Sequence, residues 1–232
     1  MSIQLVLPLQ PPDRNTFQNF YHNSSHAVLL RCLKQFSCRE GESYIYLWGH
    51  SGAGCTHLLQ ATCQEAQYHG YLSTYKSLRW LKKQGPDSLF GVENFDIICI
   101  DDTEIIVGDR LWQEALFHFY NRLQQQQKKY LLIAANKVPQ HLGFILQDLV
   151  SRLAGGVLFQ VRELNDYERL AALQKRASLR GIELSEDVAQ FLLLRLPRHS
   201  KALFSALTRL DEATLSLQRR LTIPLVKAIL HL

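Results

Sequence analysis

The sequence predicts an α/β core, in which a parallel sheet is flanked by helices, followed by an all-helical unit. Between residues 13 and 163, short apolar runs take turns with segments whose apolar residues recur at helical spacing. Apolar runs without polar alternation are typical of strands buried on both faces, and strand–helix alternation indicates a parallel sheet. Helical patterns alone recur after about residue 164. We therefore expect an extended arm at 1–12, an α/β core at 13–163 and an all-α lid at 164–232.

Four apolar runs are the predicted strands, at 44–48, 71–75, 95–100 and 130–135. Between them, apolar residues spaced three or four positions apart predict amphipathic helices. These residues are Leu29, Leu30, Leu33 and Phe36, then Leu58, Leu59, Thr62, Cys63 and Ala66, and then Trp112, Leu116, Phe119, Tyr120 and Leu123.

Polar side chains predict where the lid helices begin. Asn165 is followed three residues later by Glu168, which is the pattern of a capping box. Ser185 and Ser200 lie near the starts of two further helices, and Thr222 precedes a short last one.

Composition excludes several classes of protein. The chain has 232 residues, of which 47% are hydrophobic and 20% charged, so it is not largely disordered. No apolar run reaches the roughly 18 residues that span a bilayer, and no secretion signal is evident. The five cysteines form no CxxC pair, which favours buried thiols in a reducing cytoplasm. A net charge of +5 is compatible with a nucleic-acid or acidic partner without establishing either.

The strongest motif is a glycine-rich turn between the first predicted strand and the next helix. Such a phosphate-binding loop needs glycines so that main-chain N–H groups can point at the phosphates, and a Ser/Thr hydroxyl to ligate Mg²⁺. Gly49, Gly52, Gly54 and Thr56 suit this task, but Cys55 stands where the motif has lysine. We expect phosphate binding without efficient hydrolysis. The alternative is a glycine turn that binds no ligand.

Two carboxylates follow the third predicted strand. At the carboxyl edge of a parallel sheet, Asp101 is a candidate to hold Mg²⁺ together with Thr56. Asp102 stands where a water-orienting acid is expected, although its side chain is one methylene shorter than glutamate. Such acids also often cap the turn that follows a strand.

Three polar residues further along the chain are candidates for phosphate contacts. Asn136 follows the fourth predicted strand, Arg152 ends an amphipathic helix that carries Ile145 and Leu146, and Lys201 lies near the start of the third lid helix. Taken singly, they are also compatible with a turn residue, a surface arginine and a solvated lysine. The nine histidines show no paired metal-ligand spacing, so we predict no zinc site.

The first residues form a separate unit, because an apolar hexapeptide at 4–9 is followed by Pro11 and Pro12. The prolines forbid a helix and disfavour a central strand. We expect an extended arm, with an ordinary disordered terminus as the alternative.

Taken in order, these motifs resemble the AAA+ ATPases, and within them the replication-initiator group to which DnaA belongs. The segment at 15–20 is similar to the one that opens the nucleotide domain of the initiator. The resemblance implies a Walker A loop at 49–56, a Walker B strand ending in Asp101 and Asp102, sensor 1 at Asn136, an arginine finger at Arg152 and sensor 2 at Lys201. It also implies that the chain binds ADP, with Mg²⁺.

The arm is similar to a peptide that docks on the bacterial β sliding clamp of DNA polymerase III. The clamp-binding residues would be Gln4, Leu5, Leu7, Pro8 and Leu9. With this arm and without the helix-turn-helix domain of the initiator, the chain resembles the regulatory inactivators of DnaA. The resemblance implies a cytoplasmic negative regulator of replication initiation, which supplies Arg152 in trans to DnaA-bound ATP, self-associates and binds no specific DNA sequence or membrane.

Two other functions stay open at this point. An autonomous AAA+ ATPase of the helicase or clamp-loader type would use the same loop, although Cys55 weighs against it. A DnaA-like adaptor would bind DNA directly, although the sequence shows no helix-turn-helix domain.

Overall fold

The computed structural model describes residues 14–126, 128–197, 200–217 and 221–232, with the side chains of 200–201 and 214–217 excluded. The predicted arm at 1–12 therefore lies outside the described residues. Within the described part of the chain, no helix is long and apolar enough to cross a bilayer.

Five parallel strands form one sheet in the order β2-β3-β4-β1-β5. Their bounds are β1 Tyr44–Trp48, β2 Ser73–Ser77, β3 Ile97–Asp101, β4 Tyr130–Ala135 and β5 Val157–Gln160. The register places Tyr46 opposite Ile133 and Cys99 opposite Leu132. The predicted α/β fold with a parallel sheet is confirmed. Because β4 lies between β1 and β3, their carboxyl ends meet at one edge.

The helices alternate with the strands and then continue alone. They are α1 Ala27–Ser37, α2 Cys55–Tyr68, α3 Leu78–Leu81, α4 Arg110–Gln125, α5 Gln147–Ala154, α6 Asp166–Leu179, α7 Glu186–Arg195, α8 Ser200–Leu217 and α9 Ile223–Leu230. The Asn165 capping box is present, with both reciprocal hydrogen bonds to Glu168. The predicted start of α6 is confirmed.

Three strand predictions differ from the structure. The third strand begins at Ile97 rather than residue 95, because Phe95 N–H bonds to Val92 O and closes a 3-10 turn. The second strand begins at Ser73 rather than Tyr71, because Tyr71 N–H bonds to Ala66 O and closes the turn after α2. The fifth strand was not predicted. It has four residues, most of them only partly buried, and its apolar run at 157–159 is shorter than those of the central strands.

Each face of the sheet has its own apolar core. One is built with α4 and α5 around Tyr46, Ile133 and Phe119, and the other with α1 and α2 around Leu47, Phe36 and Leu59. The lid helices enclose a third core around Leu173, Leu192 and Leu207.

Residues 14–23, here called the N-terminal segment, connect the core with the lid. Its contacts with α6 are Asn23 Nδ2 to Glu168 at 2.6 Å, Phe20 O to Lys175 Nζ at 2.9 Å and Asn15 Oδ1 to Arg176 at 2.9 Å. Asn15 also donates to Gln60 of α2 at 2.7 Å. The lid is therefore held against the same segment that touches the helix of the glycine-rich loop.

Candidate functional site

The glycine-rich loop joins β1 to α2 in a conformation that only glycine accommodates. Gly49 N–H donates to Ala135 O at 3.2 Å, and a Cβ at Gly49 would lie 2.4 Å from Val161 O. Gly52 and Gly54 have φ of +91° and +110°, which side chains disfavour. The first main-chain N–H groups of a helix such as α2 point out of its N-terminus. The loop and this turn thus have the shape and polarity that a phosphate group needs.

The end of the loop is covered by the N-terminal segment. A Cβ at Gly54 would lie 2.9 Å from Cε2 of Phe20, so the aromatic ring packs directly on the main chain. The Phe20 and His57 ring centroids are 5.2 Å apart, and His57 Nε2 lies 2.8 Å from Thr16 O. The segment at 15–20 therefore lies against the loop.

Cys55 presents a neutral thiol where such loops have an ammonium group. Burial, with further contributions from Asp101 and Glu104, raises its pKa to about 12. These effects outweigh the tendency of a helix N-terminus to lower a thiol pKa. Sγ would lie 3.4 Å from a Cβ at Gly49, so the thiol faces the start of the loop.

Asp101 lies at the end of β3 with both carboxylate oxygens engaged. Thr56 and Tyr75 donate to Oδ2 at 2.6 and 2.8 Å, and Asp102 N–H donates to Oδ1 at 2.9 Å. Burial raises the carboxyl pKa, although these hydrogen bonds oppose the shift. A carboxylate and a hydroxyl this close together, beside a phosphate loop, fit Mg²⁺. Thr56 and Asp101 would hold the ion, which would supply positive charge beside the phosphates.

The carboxylate of Asp102 is turned toward β2. Its backbone has φ of +58°, the Ser77 hydroxyl donates to it at 2.5 Å, and Arg79 lies 3.5 Å away. These two partners occupy both of its oxygens.

Glu104 is a third carboxylate at this edge, and the sequence analysis missed it. Its Oε2 accepts from Asn136 N–H at 3.3 Å. Burial and the neighbouring Asp102 and Asp101 raise its pKa. A short 3-10 turn at Thr103–Ile106 returns residue 104 to the sheet edge, and no local sequence pattern signals this return.

Asn136 lies at the carboxyl end of β4, between the ends of β1 and β3. Its side chain is exposed and forms no hydrogen bond among the described residues. The fold thus brings Asn136, Cys55, Thr56, Asp101 and Glu104 to one sheet edge.

Arg152 lies apart from this cluster, on α5. Leu149 and Leu153 of α5 are buried, whereas Arg152 is exposed. Among the described residues, its guanidinium forms no salt bridge and no hydrogen bond. The prediction that this helix carries Ile145 and Leu146 was wrong, because α5 begins at Gln147. The N–H groups of both residues instead donate to the Gln113 side chain.

Other predicted site residues lie outside what the structure describes. The backbone of Lys201 belongs to α8, but its side chain is not described. Gln4, Leu5, Leu7, Pro8 and Leu9 all precede residue 14.

Two basic lid residues that do contact the core were missed by the sequence analysis. Lys175 and Arg176 bond to the N-terminal segment, and the Arg176 guanidinium lies 4.3 Å from the Phe204 ring centroid. The position of Arg176 between the apolar Leu173 and Ala177 was the only sequence signal of its burial.

Two family models match this chain. A model of the bacterial DnaA ATPase domain matches residues 12–160. A model of the lid domain of Hda matches residues 166–230.

Solved structures of AAA+ proteins are similar in fold. Domain III of the Thermotoga maritima initiator DnaA has a TM-score of 0.76 at 22% identity, over 95% of this chain and 97% of that one. AMPPCP-bound DnaA from Aquifex aeolicus has a TM-score of 0.68 at 26% identity, over 84% and 64%. The Thermotoga maritima RuvB branch-migration motor has a TM-score of 0.67 at 18% identity, over 94% and 71%. The predicted AAA+ core with a helical lid is thereby confirmed as the fold class.

Proposed function

The chain belongs to the bacterial DnaA ATPase-domain family and carries an Hda-type lid, and from this premise we propose that it negatively regulates replication initiation. In this proposal the protein binds ADP and supplies Arg152 in trans to ATP bound by DnaA. DnaA then hydrolyses its ATP and cannot initiate again.

The observation that carries the proposal is the contrast between Arg152 and Cys55. Arg152 is exposed and has no salt-bridge partner in the described residues. Cys55 leaves the protein's own loop without the cation that reaches the β- and γ-phosphates. A chain with a weakened site of its own and an unengaged surface arginine is suited to act on the nucleotide of a neighbour.

The chemistry of this step is charge neutralisation. A guanidinium stays charged and can bond to two phosphate oxygens at once, which an ammonium group cannot. An arginine supplied in trans accelerates phosphoryl transfer by roughly 10³–10⁵-fold in well-characterised cases. We expect negligible turnover by the protein alone.

The nucleotide site of the proposal uses the sheet edge described above. The residues that would contact ADP, with Mg²⁺ held by Thr56 and Asp101, are Gly49, Gly52, Gly54, Cys55, Thr56, Asp101, Asp102, Asn136 and Lys201. Main-chain N–H groups and the N-terminus of α2 would hold the diphosphate without a lysine.

The arm would tether the protein to the DNA-loaded β clamp. Tethering raises the local concentration of a weak second contact to roughly millimolar, so the affinity for DnaA alone need not be high. The proposed organisation is the arm at 1–12, the nucleotide-binding core at 13–163 and the lid at 164–232.

The test is the Arg152→Ala variant. We expect it to fold, to bind the clamp and ADP, and to lose all stimulation of DnaA ATP hydrolysis, measured with clamp and DNA present. Arg152→Lys keeps the positive charge but lacks the forked geometry, so it should restore little of the stimulation.

Arg110→Ala is the matched control, because Arg110 is another exposed arginine on an adjacent helix, α4. It should stimulate like the unmodified protein. Normal stimulation by Arg152→Ala would refute the proposed role, and vigorous turnover by the protein without DnaA would favour an autonomous ATPase instead.

A further inference from the structure

The Glu104 carboxylate lies close to the start of the phosphate loop. Ala135, the last residue of β4, accepts a hydrogen bond from Gly49 N–H at 3.2 Å. The next residue, Asn136, donates its N–H to Glu104 Oε2 at 3.3 Å. The Glu104 carboxylate is therefore bonded to Asn136, which directly follows the residue that holds Gly49 on the sheet.

The Glu104 charge affects the pKa of residues on the strand and helix around the loop. Burial raises the pKa of Tyr46 on β1 and of Cys55 on α2, and Glu104 contributes to both shifts. The pKa of Glu104 is itself raised, by burial and by Asp102 and Asp101. The three carboxylates therefore share one edge of the site.

Little positive charge offsets them. Among the described residues, Arg79 is the cation within salt-bridge distance of this cluster, and it lies 3.5 Å from Asp102 on the β2 side. At position 55 a thiol replaces the ammonium group. Glu104 faces the end of β4, where Asn136 occupies the place expected to meet a third phosphate.

We propose that Glu104 sets the preference of this site for a nucleoside diphosphate over a triphosphate, by holding a carboxylate beside the position of the third phosphate. This inference rests on the proposed nucleotide-binding function. The first two phosphates meet the N–H groups of the loop and of α2, which attract them. A third phosphate extends toward the sheet edge, where like charge opposes it.

The test compares the dissociation constants of Mg²⁺–ADP and of a Mg²⁺-bound non-hydrolysable ATP analogue, measured by calorimetry. Glu104→Gln keeps the size of the side chain and an oxygen for Asn136 N–H, but removes the charge. We expect the triphosphate to bind roughly tenfold more tightly than in the unmodified protein, with little change for ADP. Thermal melting verifies folding, and Glu104→Ala provides a second neutral variant.

Asp109→Asn is the matched control. Asp109 caps α4 and pairs with Lys82, and the change removes one negative charge while keeping a capping oxygen. It should leave the ratio of the two dissociation constants unchanged.

Two results would overturn the inference while leaving the proposed function intact. One is equal affinity of the unmodified protein for both nucleotides. The other is a ratio of the two dissociation constants that is the same in Glu104→Gln as in the unmodified protein, even if that variant loses a residual ATPase activity. Failure of the unmodified protein to bind either nucleotide would instead refute the nucleotide-binding proposal on which the inference depends.

Discussion

Position 55 determines how the phosphate loop differs electrically from one that supports hydrolysis. The half-buried Cys55 thiol, with a pKa of about 12, is neutral at any physiological pH. The loop therefore offers main-chain dipoles but no full positive charge, while carboxylates lie at the same sheet edge. In the proposed function, this difference suits the site to holding a nucleoside diphosphate rather than to turnover.

The variant Cys55→Lys reverses this difference. An ammonium group at position 55 should reach the β- and γ-phosphates and tighten ATP binding by roughly 10- to 100-fold, since one charge-assisted contact contributes about 1.5–3 kcal/mol. Calorimetry with a non-hydrolysable ATP analogue measures the change. Cys38→Lys, at the end of α1, adds the same charge elsewhere and should have no effect. If Cys55→Lys also has none, the side chain at 55 does not face the phosphates.

Sequence reasoning reached Thr56 and Asp101 as partners because their motifs are local. The loop follows an apolar strand, and the aspartate ends another, so their proximity follows from the geometry of parallel sheets. Glu104 was not found, because its position depends on the left-handed backbone at Asp102 and on the turn that follows. No local pattern encodes that return to the sheet.

At the scale of elements, a buried amide links α4 with the start of α5. Gln113 is fully buried; its Nε2 donates to Ile106 O at 3.0 Å, and its Oε1 accepts from Ile145 and Leu146 N–H at 2.8 and 3.0 Å. This one side chain thus joins the turn after β3 to the helix that carries Arg152.

Replacement of Gln113 by methionine should be costly, because it removes the partner of the Ile145 and Leu146 N–H groups, whereas Ile106 O keeps a second hydrogen bond from Asp109 N–H. We expect Gln113→Met to lower the free energy of unfolding by about 2–4 kcal/mol, measured by urea denaturation. Gln124→Met, at an exposed position of the same helix, should change it by less than about 0.5 kcal/mol. A loss under about 1 kcal/mol in Gln113→Met would mean that water or a neighbour replaces these bonds.

The same amide explains why the start of α5 could not be read from the sequence. Ile145 and Leu146 continue the apolar pattern, and the pattern alone extends the helix through them. Their N–H groups are taken by Gln113, which comes 32 and 33 residues earlier in the chain. Tertiary hydrogen bonding here overrides local periodicity.

At the scale of the whole molecule, the proposed arm should act only through concentration. We expect Gln4→Ala combined with Leu5→Ala to abolish clamp binding in a pull-down, without changing the melting temperature of the core. Stimulation of DnaA should fall at low protein concentration and recover at high concentration, because a tether supplies local concentration. Gln10→Ala, outside the motif, should behave as the unmodified protein, and undiminished clamp binding by the double variant would contradict the tether.

The order of core and lid was predictable, because the apolar pattern changes period after residue 163. The contacts between them were not. Asn23 and Glu168 are 145 residues apart, and both are ordinary capping residues by sequence. The hydrogen bond between these two side chains depends on the assembled fold.

The N-terminal segment also determines what counts as an exchangeable part of this protein. By chain order it belongs to the core, yet its side chains at Asn15 and Asn23 bond to α6. A chimera that imported only a foreign lid would leave these two side chains facing unmatched partners. An exchange of the lid would therefore have to replace two separate stretches of chain together. These are residues 14–23 and the lid itself, although all the strands of the sheet lie between them in the sequence.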